Sequence, residues 1–86
     1  MRITYDPFAD AAYIYLVDSI SPGGVNWTEP GDPAGIASGV NLDFDVQGRL
    51  LGIEVLDASK TLPQSVLDRA ERFEQPPVEV LREGKH

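Results

Sequence analysis

Residues 2–5 alternate polar and apolar side chains, and residues 12–17 are rich in β-branched and aromatic ones, so both predict strands. Between them, Asp6-Pro7-Phe8-Ala9-Asp10 reads as a turn. Pro7 presets φ, and the Asp6 carboxylate accepts from amides two or three residues on. Setting Ile3 opposite Ile14 gathers Ile3, Tyr5, Ala12, Ile14 and Leu16 on one face and Thr4, Tyr13 and Tyr15 on the other. Residues 40–45 and 49–56 predict a second hairpin, with Gly48 supplying the positive φ of its turn. Two registers compete for it. Pairing Leu42 with Leu51 collects Val40, Leu42, Phe44, Leu51, Ile53 and Val55 on one face, whereas a glycine bulge at Gly48 puts Leu50 opposite Phe44. The apolar pattern favours the first, and that register is expected.

The segment 18–39 carries Pro22, Pro30 and Pro33 and five glycines. Long structureless loops are uncommon in small domains, so residues 25–29 are expected to form a short strand with Trp27 buried. Thr61, followed three residues later by Gln64, has the spacing of a capping box, with Pro63 in the first turn. This predicts a helix over 62–73, with Leu62, Val66, Leu67, Ala70 and Phe73 on one stripe and Asp68, Arg69, Glu71 and Arg72 facing water. Pro76-Pro77 ends it, and residues 78–80 offer a short added strand or a tail. The expected fold is therefore α+β: an antiparallel sheet of four or five strands in hairpins, with one C-terminal helix on one face. One domain spans 1–75, with a core at 1–60 and a tail at 76–86.

Length changes the picture by what it withholds. In 86 residues, apolar burial and the cost of ordering the chain nearly cancel, so a lone monomer is marginal. One helix covers one face, which leaves Thr4, Tyr13, Tyr15 and Leu50 on a face that needs a second layer. A second copy related by two-fold symmetry is the expected cover, with the segment around Trp27 as the monomeric alternative.

The net charge of −7 is uneven: residues 1–60 hold nine acids against Arg2, Arg49 and Lys60. Such a field repels phosphate backbones, so direct nucleic-acid binding is not expected, and a basic protein partner is the natural complement. There is no cysteine, hence no disulfide or thiolate. No apolar run is long enough to span a bilayer, and no secretory pattern opens the chain, so no membrane association is expected and the cytoplasm is the expected compartment.

Candidate chemistry rests on carboxylates. Asp43, Asp45, Gly48, Leu50 and Glu54 match the calcium-loop spacing of an EF-hand, where oxygen ligands wrap a hard cation around a glycine bend. The fifth position is Gln47, the incoming segment is full of glycine and proline, and residues 53–56 favour a strand, so the match is read as accidental. Asp43 and Asp45 share a strand face, and Asp6 and Asp10 flank one turn. Either pair offers acid/base chemistry or a hydrated Mg²⁺, but turn-amide satisfaction and a solvated face explain them more simply. The only histidine is His86, the last residue of the sequence, so a histidine-based triad has little to draw on. No cofactor or metal is expected.

The order Ile3-Thr4-Tyr5-Asp6-Pro7, Ala9-Asp10-Ala11, Tyr13-Ile14, Gly39-Val40, Asp43-Phe44-Asp45 and then Gly48-Arg49-Leu50-Leu51-Gly52-Ile53-Glu54-Val55-Leu56-Asp57-Ala58-Ser59 resembles a small prokaryotic family of domains of unknown function. The resemblance covers about residues 1–60. It implies a compact sheet with a helix, no established activity, and an antitoxin-like role beside a small toxin-like partner. Residues 29–38 look like an insertion relative to that pattern, and residues 63–86 lie beyond it. The expected function is a protein-interaction module that binds itself or a basic partner, with Tyr13, Tyr15 and Trp27 as the contact residues. The alternative is a metal-dependent or acid/base enzyme drawing on Asp6, Asp10, Asp43, Asp45 or Glu54.

Overall fold

A computed structural model describes residues 1–31 and 39–73. Strands β1 (Arg2–Asp6), β2 (Ala11–Tyr15), β3 (Trp27–Pro30), β4 (Val40–Phe44) and β5 (Leu50–Leu56) are followed by two short helices, α1 (Ala58–Thr61) and α2 (Gln64–Arg69), and a two-residue strand β6 (Glu71–Arg72). The sheet is six-stranded and mixed, in the order β3-β4-β5-β2-β1-β6. All neighbours are antiparallel except β1 and β6, which run parallel. The α+β class agrees with the sequence; the strand number, the mixed pairing and the two helices do not match the expected antiparallel sheet with one helix.

The first hairpin follows the apolar pattern. Ile3 pairs with Ile14 and Tyr5 with Ala12. The turn forms because Asp6 Oδ1 accepts from the amides of Phe8 (2.9 Å) and Ala9 (3.3 Å). Asp10 then reverses the chain with φ +52, a left-handed conformation that Asp and Asn tolerate best among side-chain-bearing residues.

The second hairpin takes neither of the two competing registers throughout. At the turn Phe44 pairs with Leu50, as a glycine bend at Gly48 (φ +81) dictates. One step on, the register shifts, and Asp43 pairs with Gly52, Leu42 with Ile53 and Val40 with Val55. Leu42 therefore does not face Leu51, which is the extra residue of the bulge. Continuing the turn's own register would set Leu42 against Gly52 and Val40 against Glu54, driving a carboxylate toward the core. The bulge costs one unpaired residue and restores the alternation, so Val40, Leu42, Ile53 and Val55 share a face after all.

The single helix predicted over 62–73 is broken twice. A residue before proline is pushed from helical to extended backbone, and Leu62 before Pro63 sits at φ −106, ψ 145. The Thr61–Gln64 capping box is not made: Thr61 Oγ1 donates to the Asp57 carbonyl (3.1 Å) and Gln64 Nε2 to Asp68 (2.9 Å). At Ala70 the chain turns extended again, and Glu71 and Arg72 pair with Thr4 and Tyr5 of β1. The open edge of β1 thus captures the chain that propensity assigned to a last helical turn. Arg72 is exposed, as expected, and its guanidinium also donates to the Leu67 carbonyl in α2 (3.2 Å) and lies 5.3 Å from the centre of the Tyr5 ring. Phe73, predicted in the buried stripe, is 50% exposed. The added strand proposed at 78–80, and most of the stretch read as an insertion, lie outside the described residues.

The core is small and off-centre. Tyr5, Ala12 and Val55 from the sheet meet Ala58 and Leu67 from the helices, with Ile14, Ile53, Leu62 and Ala70 packed around them. This covers β1, β2 and β5. Over β3 and β4, Trp27 stacks on Phe44 with ring centroids 5.1 Å apart, but it stays 44% exposed rather than buried. β3 is an outer edge. The Gly31 amide bonds inward to Val40, so by alternation Glu29 also faces β4, while Thr28 and Pro30 face outward. Pro30 has no N–H to offer there, which blunts the edge against further pairing.

Leu67 has almost no exposed surface, so Leu67→Ala should cost about 2–5 kcal/mol in a denaturant melt. Phe73→Ala, at a half-exposed site, should cost about 1 kcal/mol. The reverse ranking would place the core elsewhere.

Candidate functional site

The face opposite the helices carries the chain's polar and aromatic strand residues in two rows. One row runs Thr28, Asp43, Gly52, Tyr15 and Arg2 across five strands; the next runs Pro30, Asn41, Glu54, Tyr13 and Thr4. Neighbours in a row are cross-strand partners, and neighbours between rows are diagonal contacts within reach of a tyrosine.

Gly52 organises this face. It lacks a side chain in the middle of a strand, and the Tyr13 ring leans across the gap: a Cβ at Gly52 would stand 2.5 Å from Tyr13 Cε2 and from its hydroxyl oxygen. Crossing the gap brings the Tyr13 hydroxyl to Asp43, to which it donates at 2.6 Å, and Thr28 Oγ1 donates to the other oxygen of the same carboxylate, also at 2.6 Å. Burial first, and the hydrogen bond to Asp43 second, push the Tyr13 pKa well above the usual tyrosine range. Tyr15 packs edge-on against Tyr13 at 4.7 Å, and the Arg2 guanidinium lies 4.2 Å from the centre of the Tyr15 ring. Glu54, directly opposite Tyr13, accepts from Asn41 Nδ2 through Oε1 at 3.0 Å.

Beside these residues an open cavity of about 270 Å³ is lined by Thr4, Asp6, Tyr13, Tyr15, Glu54 and Phe73. Phe73 reaches it because β6 continues along β1, where the Phe73 amide donates to the Tyr5 carbonyl at 3.2 Å.

Each predicted carboxylate has a definite place. Asp6 and Glu54 line the same cavity, but Asp6 also holds its own turn. Asp45 accepts from the amides of Gln47 and Arg49, both at 2.9 Å, and from Arg49 Nε. The bond from the Arg49 amide, more than any other contact, holds the Asp45 carboxyl below its ordinary value. Asp43, Asp45 and Glu54, the acids of the calcium-loop match, are bonded to separate partners on a hairpin rather than wrapped around one centre. Among the described residues no group of three or more His, Cys, Asp or Glu is placed to hold a metal ion.

Asp10 faces the other way and ties the fold together. Its Oδ1 accepts from the Tyr5 hydroxyl (2.8 Å) and the Ser59 amide (3.0 Å), its Oδ2 accepts from Ser59 Oγ (2.7 Å), and its carbonyl accepts from the Ala58 amide (2.9 Å). Ser59 Oγ first, then Tyr5, lower its pKa from the ordinary 3.8. The same bond, from the tyrosine's side, raises the Tyr5 pKa. Trp27 lies on the helix side with Phe44, apart from Tyr13 and Tyr15, so the three residues grouped as contacts do not share a surface. Leu50, expected on the tyrosine face, pairs with Phe44 instead.

Sequence reasoning missed Gly52, Asn41, Thr28, Ser59 and Phe73. Only Gly52 left a signal, since a glycine inside a strand marks a close approach.

The sequence profile of a family described as "Protein of unknown function (DUF2283)" matches residues 2–59, two thirds of the chain. The chain belongs to the DUF2283 family. The DUF2283 segment holds β1 to β5 and ends on Ser59, the partner of Asp10, so α2 and β6 lie outside it. No curated protein and no solved structure gives a match. No helix among the described residues is long and apolar enough to cross a membrane.

Two outcomes follow from the hydrogen bonds. Gly52→Ala should cost about 1–3 kcal/mol by overpacking, and absorbance titration should show one tyrosine ionising at lower pH than in the parent, as Tyr13 leaves Asp43. Combined with Tyr13→Ala, the cost should fall below the sum of the two single changes. Because the Asp10 pKa is lowered on folding, its contribution is complete above the unfolded value of about 3.9 and is lost as pH falls through the folded one. Asp10→Asn, which keeps a residue tolerant of the left-handed turn, should lower stability at pH 7 and flatten its fall below about pH 4. Parallel stability–pH curves for parent and variant would show that Asp10 is not the clamp.

Proposed function

We propose that this DUF2283 protein is a small cytoplasmic interaction module that binds a basic protein partner through its tyrosine–carboxylate face. The observation supporting this is the open cavity beside Tyr13 and Tyr15, edged by Asp6 and Glu54, on a sheet face that no described helix covers. The acidic net charge favours approach of a basic partner and discriminates against phosphate-rich ones. An antitoxin-like pairing with a small basic toxin is the specific form of this reading.

A homodimer is a second contact of the same kind, and it draws on the other side of the sheet. Over β3, β4 and the end of β2, the exposed apolar residues Trp27 and Leu16 lie outside the helix-covered core. Acid/base or metal-assisted catalysis is the competing reading, favoured by the one observation that Asp6 and Glu54 share the cavity. Against it, Asp6 is engaged by its own turn amides and one oxygen of Glu54 by Asn41, as structural carboxylates are.

The test is affinity capture from native lysate with the full chain, mass-spectrometric identification of the retained proteins, and a repeat with Tyr15→Ala. A basic protein retained by the parent, released by salt and lost with Tyr15→Ala, is the expected result. Retention unchanged by Tyr15→Ala would move the contact off this face. Light scattering over a hundredfold concentration range should show mass rising from 9.4 kDa toward twice that value; a constant mass would remove the homodimer.

A further inference from the structure

The cavity limits what chemistry a partner can present. At about 270 Å³ it lies below the roughly 300–1,000 Å³ of typical small-molecule sites, so it suits a single inserted side chain better than a cofactor. Its walls combine ring surface from Tyr13, Tyr15 and Phe73 with the carboxylates of Asp6 and Glu54 and the hydroxyl of Thr4. Asn41 Nδ2 donates to Glu54 Oε1, and among the described residues no side chain is bonded to Oε2.

From this geometry we infer that the cavity seats an arginine side chain of the basic partner, its guanidinium stacked on the tyrosine rings and hydrogen-bonded to Glu54. A planar guanidinium stacks on aromatic faces while its fork of N–H groups meets a carboxylate at the ring edge, which the compact and strongly hydrated lysine ammonium does less well. The chain makes the same choice internally. Arg2 lies over Tyr15 and Arg72 over Tyr5, so two of its three tyrosines already carry a guanidinium. Arg2, which lies over Tyr15, is not among the residues that line the cavity. The excess of acids over bases on the DUF2283 segment supplies the long-range attraction, and the cavity supplies the selection of arginine over lysine.

This inference rests on the interaction-module reading, and the probes separate the two. The isotope-labelled full chain is titrated with the capped peptides Gly-Arg-Gly and Gly-Lys-Gly while amide shifts are followed. The arginine peptide should move the amides of Tyr13, Tyr15, Glu54 and Phe73 and bind more tightly than the lysine peptide. Glu54→Gln, which keeps an oxygen for Asn41, should weaken the arginine peptide about tenfold, the loss of one modest charge-assisted hydrogen bond, while the remaining spectrum stays that of the folded parent. Phe73→Ala should weaken it without disturbing the core. Equal binding of the two peptides, shifts centred elsewhere, or no effect of Glu54→Gln would overturn the arginine site. If a basic partner were nonetheless captured and lost with Tyr15→Ala, the interaction-module reading would stand without it.

Discussion

Asp10 bonds the first hairpin to the start of the helical segment, and the arrangement of the helices follows from those contacts. It sits at the end of a tight turn in a left-handed conformation, close in sequence to Tyr5 and 49 residues from Ser59. Its carboxylate satisfies the Ser59 amide in the first turn of α1, where no side chain of that helix does so, and its carbonyl satisfies the amide of Ala58. These bonds fix the helical segment to the first hairpin alongside its apolar contacts. Ala58 is then fully buried, and Leu67 follows into the space above Tyr5, Ala12 and Val55. A four-residue helix and a six-residue helix are both too short to persist alone, so tertiary anchoring supplies their stability.

The opposite face depends on an absence. Gly52 gives up the side chain its strand would normally present, and Tyr13 fills the gap from the next strand while reaching a third strand at Asp43. This couples β2, β5 and β4 through one ring, and Thr28 extends the coupling to β3. The run Gly52-Ile53-Glu54 thus divides three tasks among three neighbours: room for Tyr13, a side chain for the core, and a carboxylate beside the cavity.

The first hairpin was legible because its signals agree. Strand alternation, the Asp6 turn and the Ile3–Ile14 register point to one answer, and the structure adopts it. The helix was not, because Thr61 and Gln64 have the spacing of a cap but stand on either side of Pro63, and the pre-proline backbone decides the matter locally. Nor was β6: Glu71 and Arg72 carry no strand signature and pair because β1 offers an open edge. The same limit applied to the site. Asp6, Asp43 and Glu54 stood out as carboxylates, whereas Ser59 and Phe73 acquire their places only through contacts distant in sequence. Trp27 was expected to be buried within a strand over 25–29; a four-residue edge strand gives it one aromatic neighbour and no second layer among the described elements.

The bulge at Leu51 acts on the second hairpin as a frame correction acts on a coding sequence. Upstream of it the turn reads even positions against even, Phe44 with Leu50; downstream the strands read even against odd, Leu42 with Ile53. Loop length and bulge are consequently a matched pair. A relative that loses one residue between 45 and 49 preserves its inside and outside only by also losing the bulge, so single-residue length changes in this hairpin should arrive as compensated pairs.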